Sequence, residues 1–377
     1  MKKFIFIFSI LLLFTNTQAN DNYIIGQKGY IKIMPVFQQW SIESNYEISE
    51  VSFPTMIYYP VNRALSLSIR GNQASIIHVY DNNLPIVGGE KNALSGLTDA
   101  QLSASYHLEN ANLVFNLGLN LPSGKKELTA NEFSTSSQIA YSYFNFQVPG
   151  FGQGLNVSPG ISWAAPVSDN LVLGLGATYQ LKGGFKPLEN MTDDYNPGDE
   201  ILVTGGFDIK LAPTTTFAVD VIYTTYGEDK MGSQTVFGSG DKIMVSGMLR
   251  SYQKFNELFL LVRYRSKGKN SYSILGDFQE EPEKTTPTQL EGIGYYKMRI
   301  SEKFYLSILG EGRSFYATKN FPNNFPGLDI IGFGLSPEFS PSRNIKIPLR
   351  FKYFFGDFTG GTSISGIEAG VGVVFLF

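Results

Sequence analysis

The stretch GIEAGVGVVFLF, residues 366–377, decides the fold. Every second residue in it is apolar, whereas the residues between them are small or charged, except Val374 and Leu376. Because successive side chains of a β-strand point to opposite faces, this pattern predicts a strand with one apolar face and one face suited to water. Such a strand is typical of a closed transmembrane β-barrel, whose outer face meets lipid. The last strand of a soluble β-sandwich is the alternative.

The same stretch resembles the C-terminal insertion signal of bacterial outer-membrane barrels, in which a terminal Phe follows apolar residues at every second position. The resemblance implies a location in the cell outer membrane, surrounded by outer-membrane lipid and lipopolysaccharide. It also implies that the barrel-assembly machinery binds the final strand. The residues that would carry this signal are Val371, Val373, Phe375 and Phe377.

The first residues predict a secretory signal peptide, residues 1–19. Two lysines precede an apolar run at residues 4–14, and cleavage is expected near Ala19. The run is too short to span a bilayer as a helix. We therefore expect an exported chain in which residues 20–27 form a short periplasmic segment and residues 28–377 form the barrel.

The composition agrees with a barrel and argues against several other classes of protein. Beyond Ala19 the chain has no apolar run of the length that a transmembrane helix needs. The mean hydropathy of −0.05 conceals a local alternation, as is typical of membrane barrels. The chain has no cysteine, which excludes a disulfide framework, and its net charge of −3 gives no support for nucleic-acid binding.

Apolar and polar residues alternate through a series of predicted hairpins. One hairpin pairs residues 100–108 with residues 113–121 across the polar turn 109–112. Similar short turns are predicted at residues 167–170, 212–214, 301–303 and 341–344. The connections between hairpins are long and polar, at residues 122–154, 183–198, 227–240, 267–287 and 317–327. Outer-membrane barrels have short periplasmic turns and long extracellular loops, so this segregation favours a barrel over a sandwich.

The predicted fold class is therefore all-β, a transmembrane antiparallel up-and-down β-barrel. The pattern after residue 63 accounts for about 14 strands. Residues 31–40 and 51–59 are rich in aromatic residues and alternate more weakly. We expect both to join the wall, which gives a barrel of about 16 strands. If residues 21–60 instead fold inward as a plug, the barrel keeps the smaller number.

The face opposite the apolar one would line a lumen. Charged residues on it support this orientation, because Arg or Lys facing lipid at mid-depth costs about 2–4 kcal/mol. Two interpretations stay open: a lumen with a mild anion preference, or a mutually neutralised network in which Glu311 and Arg313 form a pair. The lumen-lining candidates are Arg70, Asp99, Arg250, Arg263, Arg265, Glu291, Lys297, Arg299, Glu311, Arg313, Glu338, Arg350, Lys352 and Glu368.

The longest connection, residues 122–154, is rich in aromatic residues and too apolar to extend into water. We expect it to fold against the mouth or into the lumen as a constriction, with a compact surface loop as the alternative. An inward aromatic loop favours the passage of hydrophobic or amphipathic solutes. The constriction candidates are Phe133, Tyr141, Tyr143, Phe144, Phe146 and Phe151.

Two segments, SGLTD at residues 95–99 and NLGLNLPSGK at residues 116–125, resemble paired motifs of a known family. This family groups the outer-membrane barrels of meta-pathway phenol degradation with the fatty-acid and hydrocarbon transport channels. The resemblance implies a Gram-negative outer-membrane channel for hydrophobic compounds. The Asn-Pro-Ala plug motif of the fatty-acid channels is not visible in the N-terminal segment, so the class of ligand is not carried over.

The predicted function is an outer-membrane channel or transporter for passive uptake or efflux of small hydrophobic or amphipathic solutes through its lumen, with a general porin of mild anion preference as the alternative. A barrel hydrolase is a second hypothesis, but it needs a Ser–His or Asp–His pair at the rim. His107 lies beside a predicted periplasmic turn, and His78 lies near Asp81 without a recognisable signature. A structural or adhesion barrel is the third hypothesis.

Two acidic clusters lie in the long connections, at residues 193–200 and 280–283. Carboxylates in such loops are able to hold a divalent cation near lipopolysaccharide. Runs of this kind are more often solvated loop tips. No metal site, cofactor or catalytic residue is therefore predicted.

Overall fold

The computed structural model describes residues 28–43, 46–80, 92–274, 277–319 and 325–377. The predicted signal peptide, residues 1–19, and the predicted periplasmic segment, residues 20–27, lie outside the described residues. Within the described ranges no helix is long and apolar enough to cross a membrane.

Strands make up most of the described chain. They are β1 (Tyr30–Ile33), β2 (Val36–Ile42), β3 (Tyr46–Ser52), β4 (Thr55–Pro60), β5 (Leu65–Gly71), β6 (Gln73–Tyr80), β7 (Asn92–Leu97), β8 (Ala100–Leu108), β9 (Leu113–Leu121), β10 (Asn156–Ser168), β11 (Leu171–Lys182), β12 (Tyr195–Asn196), β13 (Glu200–Ala212), β14 (Thr215–Tyr226), β15 (Glu228–Met231), β16 (Gln234–Gly238), β17 (Lys242–Gln253), β18 (Asn256–Lys267), β19 (Ser271–Ile274), β20 (Asp277–Glu280), β21 (Gln289–Arg299), β22 (Phe304–Phe315), β23 (Leu328–Ser342), β24 (Ile345–Phe358), β25 (Ser363–Val371) and β26 (Val373–Leu376). The described residues also form an α-helix, α1 (Ala130–Ile139), and a short 3-10 helix at Glu109–Ala111.

The main sheet is antiparallel and closes on itself. β1 pairs with β26, with Tyr30 opposite Leu376, and β2 pairs with β25, with Gln38 opposite Glu368. The described chain thus forms a closed barrel of 16 wall strands. Wall strands that consist of two segments are β1–β2, β3–β4, β5–β6, β7–β8 and β25–β26. The 16-strand prediction is confirmed, and the alternative with an N-terminal plug is wrong, because β1 to β4 pair within the wall.

Most short turns lie at one end of the barrel and the five long connections lie at the other, where short connections also join β2 to β3 and β24 to β25. The turns at residues 169–170, 213–214 and 343–344 share one end with residue 29, whose N–H bonds the carbonyl of Phe377 (3.0 Å). The connections 122–155, 183–199, 227–241, 268–288 and 316–327 lie at the other end. These two ends are called the short-turn end and the long-loop end below.

A second, smaller sheet stands at the long-loop end. It consists of β12, β15, β16, β19 and β20, which belong to three of the long connections, and we call it the cap sheet. The hydroxyl of Tyr195 on β12 donates a hydrogen bond to Asp229 on β15. Burial and this hydrogen bond raise the pKa of Tyr195, so the phenol stays protonated and continues to join the two strands.

The outer face of the wall is apolar, as the alternation predicts. Large exposed side chains on it include Phe115, Leu117, Leu173, Leu175, Val203, Tyr223, Leu260, Val262, Ile308, Phe333, Phe351 and Tyr353. In the final stretch, Val371, Phe375 and Phe377 face outward. The two exceptions to the pattern, Val374 and Leu376, face inward and pack near Tyr30 and Tyr58. So wide an apolar surface is suited to lipid rather than to water.

The five two-segment wall strands are neighbours in the barrel, and their bends lie side by side. Pro35 and Pro54 stand at two of these bends, where proline cannot donate a ladder hydrogen bond. Backbone hydrogen bonds join adjacent bends, from Met34 to Pro54, Phe53 to Gln73 and Thr98 to Asn72. Between β7 and β8 the inward face switches from even-numbered to odd-numbered residues, which turns Asp99 inward.

The main apolar core lies inside the barrel, toward the long-loop end. Its wall members are Trp40, Ile48, Ala74, Ile76, Leu94, Phe315, Leu328, Ile330, Phe354 and Ile364. Its other members, Leu128, Ile139, Phe144, Phe146, Val148 and Phe151, belong to the connection 122–155. This connection, called the long loop below, therefore folds into the lumen and packs against the wall.

Candidate functional site: the lumen and the long loop

The carboxylate of Asp99 fastens both ends of the long loop. Its Oδ1 accepts a hydrogen bond from the N–H of Gly124 (2.8 Å), just after β9. Its Oδ2 accepts from the N–H of Gln153 (2.7 Å), just before β10, and from Nδ2 of Asn120 (2.8 Å). Hydrogen bonds to a charged acceptor are stronger than neutral ones, so this one buried side chain sets where the loop leaves and rejoins the wall.

At the base of the long loop, residues 124–125 pack closely against the backbone of residues 97–99 and against residue 152. A Cβ on Gly124 would lie 2.6 Å from the backbone nitrogen of Asp99, which leaves no room for a side chain. The N–H of Lys125 donates to the carbonyl of Leu97 (3.0 Å), and Gly152 donates to the carbonyl of Lys125 (2.8 Å). The two segments that carry the family resemblance thus meet in space as the base of the long loop.

Helix α1 begins with a capping box. Thr129 accepts a hydrogen bond from the N–H of Glu132 (3.3 Å), and the Glu132 carboxylate accepts from the N–H of Thr129 (3.1 Å). Lys125 forms an ion pair with the same carboxylate. Although burial opposes ionisation, the bonds from Lys125 and Thr129 lower the pKa of Glu132. The helix start is thereby tied to the loop base.

The aromatic residues predicted as a constriction divide into buried and exposed groups. Phe144, Phe146 and Phe151 are buried against the wall, and the Phe144 ring lies 6.0 Å from that of Trp40. Tyr143 is half-buried, whereas Phe133 and Tyr141 keep over two-fifths of their surface exposed. Their role in restricting solutes stays a prediction.

Polar side chains of the wall bind the backbone of residues 143–148, called the loop tip below. The bonds run from Gln147 N to Gln38 Oε1 (2.9 Å), Gln38 Nε2 to Asn145 O (3.3 Å), Val148 N to Glu50 Oε1 (3.1 Å) and Arg313 Nη1 to Tyr143 O (2.7 Å). Because backbone groups buried away from water need partners, these bonds allow a loop to remain inside the barrel.

Arg313 on β22 is the most enclosed of the predicted lumen residues, with its side chain 1% exposed. Its guanidinium lies 5.3 Å from the ring of Trp40 and 5.4 Å from the ring of Phe354. Its Nε lies 3.1 Å from Oε1 of Glu311, the partner expected from the spacing. Cation–π contact and an ion pair thus hold this charge on the lumen wall.

Further ion pairs extend from Glu311 across neighbouring strands. Lys352 on β24 reaches Glu311 (3.1 Å) and approaches Glu368 on β25 (3.8 Å). Arg350 lies 2.6 Å from Glu368, which also accepts a hydrogen bond from Gln38 (3.1 Å). This network connects the wall to the side chain that binds the loop tip.

Inward-facing glycines make room for the large side chains of this network. A Cβ on Gly332 would lie 2.4 Å from the Phe354 ring, and one on Gly366 would lie 2.6 Å from the Trp40 ring. On β23, Gly334 lets Lys352 cross the strand toward Glu311, since a Cβ there would meet the Lys352 chain at 2.8 Å. The rings of Phe354 and Trp40 therefore pack directly on the backbone of the neighbouring strand at Gly332 and Gly366.

Gly366→Ala is expected to lower the free energy of unfolding by about 1–3 kcal/mol, because the new methyl group forces the Trp40 ring out of its place. Urea unfolding in detergent micelles, followed by tryptophan fluorescence, measures this effect. Gly310→Ala on β22 is the matched control, since a Cβ there meets nothing within 4 Å. Equal stability of the two variants would contradict the proposed packing.

A second group of predicted lumen residues forms ion pairs on β17, β18 and β21. Arg263 and Arg265 both contact Glu291, at 3.2 and 3.3 Å, and Arg250 lies 3.6 Å from Glu257. In each pair the base is more exposed than the acid; Arg250 has 31% of its side chain exposed against 9% for Glu257. The lumen surface here is therefore more cationic than the pairing alone indicates.

The remaining candidates also lie at inward positions. Lys297 pairs with Glu338 (3.3 Å), Arg299 stacks 4.5 Å from the Phe255 ring, and Arg70 is half-buried on β5. The side chains predicted to line the lumen thus share one face of the wall. Whether any of them contacts a solute stays a prediction.

The inward faces of β8 to β13, which contribute no side chain to the main apolar core, carry many small side chains. Inward residues from β8 to β13 include Ser103, Ser105, Asn116, Gly118, Ser158, Gly160, Gly174, Gly176, Thr178 and Thr204. The Lys182–Glu200 pair and Asp208 are charged exceptions on these strands. The side of the lumen that holds the loop is therefore filled by rings, whereas the middle of β8 to β13 carries short polar residues.

No protein-family model matches the chain, and no curated protein matches it. In fold it is similar to solved outer-membrane channels. An outer membrane channel from Pseudomonas putida F1 is 9% identical, with 96% of this chain and 100% of that chain covered and a TM-score of 0.39. A TodX mutant monoaromatic hydrocarbon channel is 12% identical, with 93% and 91% covered and a TM-score of 0.49. OpdQ of Pseudomonas aeruginosa is 10% identical, with 93% and 99% covered and a TM-score of 0.45.

Sequence reasoning missed the wall residues that hold the loop. Gln38, Trp40 and Glu50 lie in strands with weak alternation, because both faces of β2 and β3 carry polar and apolar residues. Sequence reasoning also missed Phe259 and Leu261 on β18, which belong to a separate buried apolar cluster with Tyr295 and Leu309. The middle of β18 is apolar on both faces, so the sequence pattern does not show which face points inward. The available signal was that Trp40, Phe259 and Leu261 are apolar residues at inward positions of their strands, which indicates packing inside the lumen.

The described contacts of His78 and of the two acidic clusters include neighbouring rings and hydroxyl groups. His78 is fully buried beside Tyr46, with ring centroids 4.9 Å apart, and Asp81 lies outside the described residues. Asp199 accepts a hydrogen bond from Tyr179 (2.6 Å), and Glu281 accepts from the hydroxyl of Thr285 (2.8 Å). Among the residues that the structure describes, no group of three metal-ligating side chains is placed to hold an ion.

Proposed function

We propose that this protein is an outer-membrane channel that passes small hydrophobic or amphipathic solutes passively through its lumen. The observation that carries the proposal is the long loop, which is bonded to the wall strands of the main apolar core, while the middle of β8 to β13 bears short polar side chains on its inward face. We expect a solute that passes between them to meet the hydroxyl and amide groups of the wall and the exposed rings of Phe133 and Tyr141 on the loop. Such a pairing of surfaces suits molecules with one apolar part and one polar part.

Deleting residues 141–146 tests this proposal. These residues include the buried Phe144, so their removal is expected to widen the passage and to raise single-channel conductance in planar bilayers several-fold. Liposome swelling with aromatic solutes is expected to become faster and less selective. Unchanged conductance and uptake in a folded variant, judged by its heat-modifiable electrophoretic mobility, would contradict the proposal.

A general porin with an anion preference is the second candidate function. The observation that favours it is the greater exposure of the lumen bases than of their acidic partners. The reversal potential under a KCl gradient is expected to show greater permeability to chloride than to potassium. Arg263→Gln together with Arg265→Gln is expected to reduce this ratio, whereas Arg343→Gln, in an exposed turn, is expected to leave it unchanged. A cation-selective wild-type pore would exclude this candidate.

A further inference from the structure

We infer that the long-loop end of the lumen contains a binding site for a small organic anion, a carboxylate that carries an apolar ring. Lys242 at the start of β17 and Lys267 at the end of β18 are its central residues. The inference deepens the proposed function, on which it rests, because it names a class of solute and the place where that solute is held.

The two lysines are direct cross-strand partners on the inward face. Lys242 stands opposite Lys267 in the register of β17 and β18. Side chains of directly opposed residues lie close together, and like charges there destabilise the sheet. Both side chains are half-buried, which limits the screening of their repulsion by water. An anion bound between the two ammonium groups would remove this repulsion.

The acids around the two lysines are already engaged. Within the described ranges neither lysine forms an ion pair, although Glu200 acts electrostatically on both and Glu281 and Asp229 act on Lys267. Asp229 accepts a hydrogen bond from the hydroxyl of Tyr195. Glu200 pairs with Lys182, and Glu281 accepts hydrogen bonds from Thr285. Arg265, two residues from Lys267, pairs with Glu291 and also acts electrostatically on Lys242.

Aromatic rings stand beside the same ammonium group. Nζ of Lys267 lies 5.8 Å from the ring centroid of Tyr226 on β14 and 6.0 Å from that of Phe237 on β16 of the cap sheet. Both rings are half-buried. A carboxylate at the lysines would therefore place an attached ring against aromatic surface, and this combination matches an aromatic carboxylate better than an inorganic anion.

Calorimetric titration of the detergent-solubilised protein with sodium benzoate tests the site. Because a hydrogen bond to a charged group contributes about 1.5–3 kcal/mol, Lys242→Gln and Lys267→Gln are each expected to weaken benzoate binding about tenfold or more. Lys346→Gln, which removes an inward lysine near the short-turn end, is the matched control and is expected to bind benzoate as the wild type does. Benzamide, which has the ring without the charge, is expected not to bind.

The outcomes separate this site from the proposed function. Equal binding of benzamide and benzoate, unchanged affinity in the Lys242→Gln and Lys267→Gln variants, or no benzoate binding by a conducting wild-type pore would overturn the site alone. Failure of the wild type to conduct in planar bilayers would overturn the channel, whatever the calorimetry shows. Heat-modifiable electrophoretic mobility of each variant checks that the barrel is folded.

Discussion

Replacing Asp99 with asparagine is expected to release the long loop and to raise single-channel conductance. The carboxylate accepts hydrogen bonds from Gly124, Gln153 and Asn120. The amide of asparagine has only one acceptor oxygen, and its NH₂ group would face the N–H of Gly124 or that of Gln153, which is also a donor. Hydrogen bonds to a charged group contribute about 1.5–3 kcal/mol each, so the loop base loses most of what holds it. Planar-bilayer recordings and limited proteolysis within residues 122–155 measure the release.

Asp220→Asn is the matched control for this experiment. Asp220 is also an inward carboxylate, but it stands on β14 and bonds none of the loop residues among the described contacts. Its replacement is expected to leave the protease resistance of the loop unchanged. If Asp99→Asn is as resistant and conducts as the wild type does, the loop is held by its buried rings alone, and the role assigned to Asp99 is wrong.

Arg313→Met is expected to lower the free energy of unfolding by about 1.5–3 kcal/mol, because it removes one of the two basic partners of the buried Glu311 and leaves Lys352 as the other. The same change removes the hydrogen bond to the carbonyl of Tyr143 and the contact with the Trp40 ring. Urea unfolding in detergent micelles measures the stability, and proteolysis reports whether the loop tip has left the wall.

A second substitution separates the charge from the packing. Glu311→Gln combined with Arg313→Met removes the buried carboxylate that has lost one of its two basic partners, so it is expected to recover part of the stability that Arg313→Met loses. Arg343→Met, at an exposed turn, is the control for loss of a positive charge and is expected to have no measurable effect. A double variant as unstable as Arg313→Met would show that Glu311 is not the cause.

The barrel wall was predictable wherever one face meets lipid and the other meets water. β9 shows this well, because Phe115 and Leu117 alternate with Asn116 and Gly118 and the register follows from that alternation. The turn at Glu109–Ala111 was predictable for a similar reason, since short polar residues favour tight turns, and Asn112 after it adopts a left-handed conformation.

The interior of the barrel was less predictable because the loop replaces water there. Trp40 faces inward but meets Phe144 instead of solvent, so it breaks the rule that inward residues are polar. The aromatic content of residues 122–154 indicated an inward loop, yet its attachments depend on contacts between segments far apart in sequence. The hydrogen bond from the N–H of Val148 to Glu50 is one example, because no local sequence pattern predicts it.

The pairing of β1 with β26 has a consequence for how the protein is assembled. Until the final strand is in position, the N–H and C=O groups along the free side of β1 have no hydrogen-bond partner, and hydrocarbon offers none. Strands therefore cannot be delivered into a bilayer one at a time, as helices can. We therefore expect that the sheet closes in one concerted step, or that another protein pairs with the free edge of β1 until β26 replaces it.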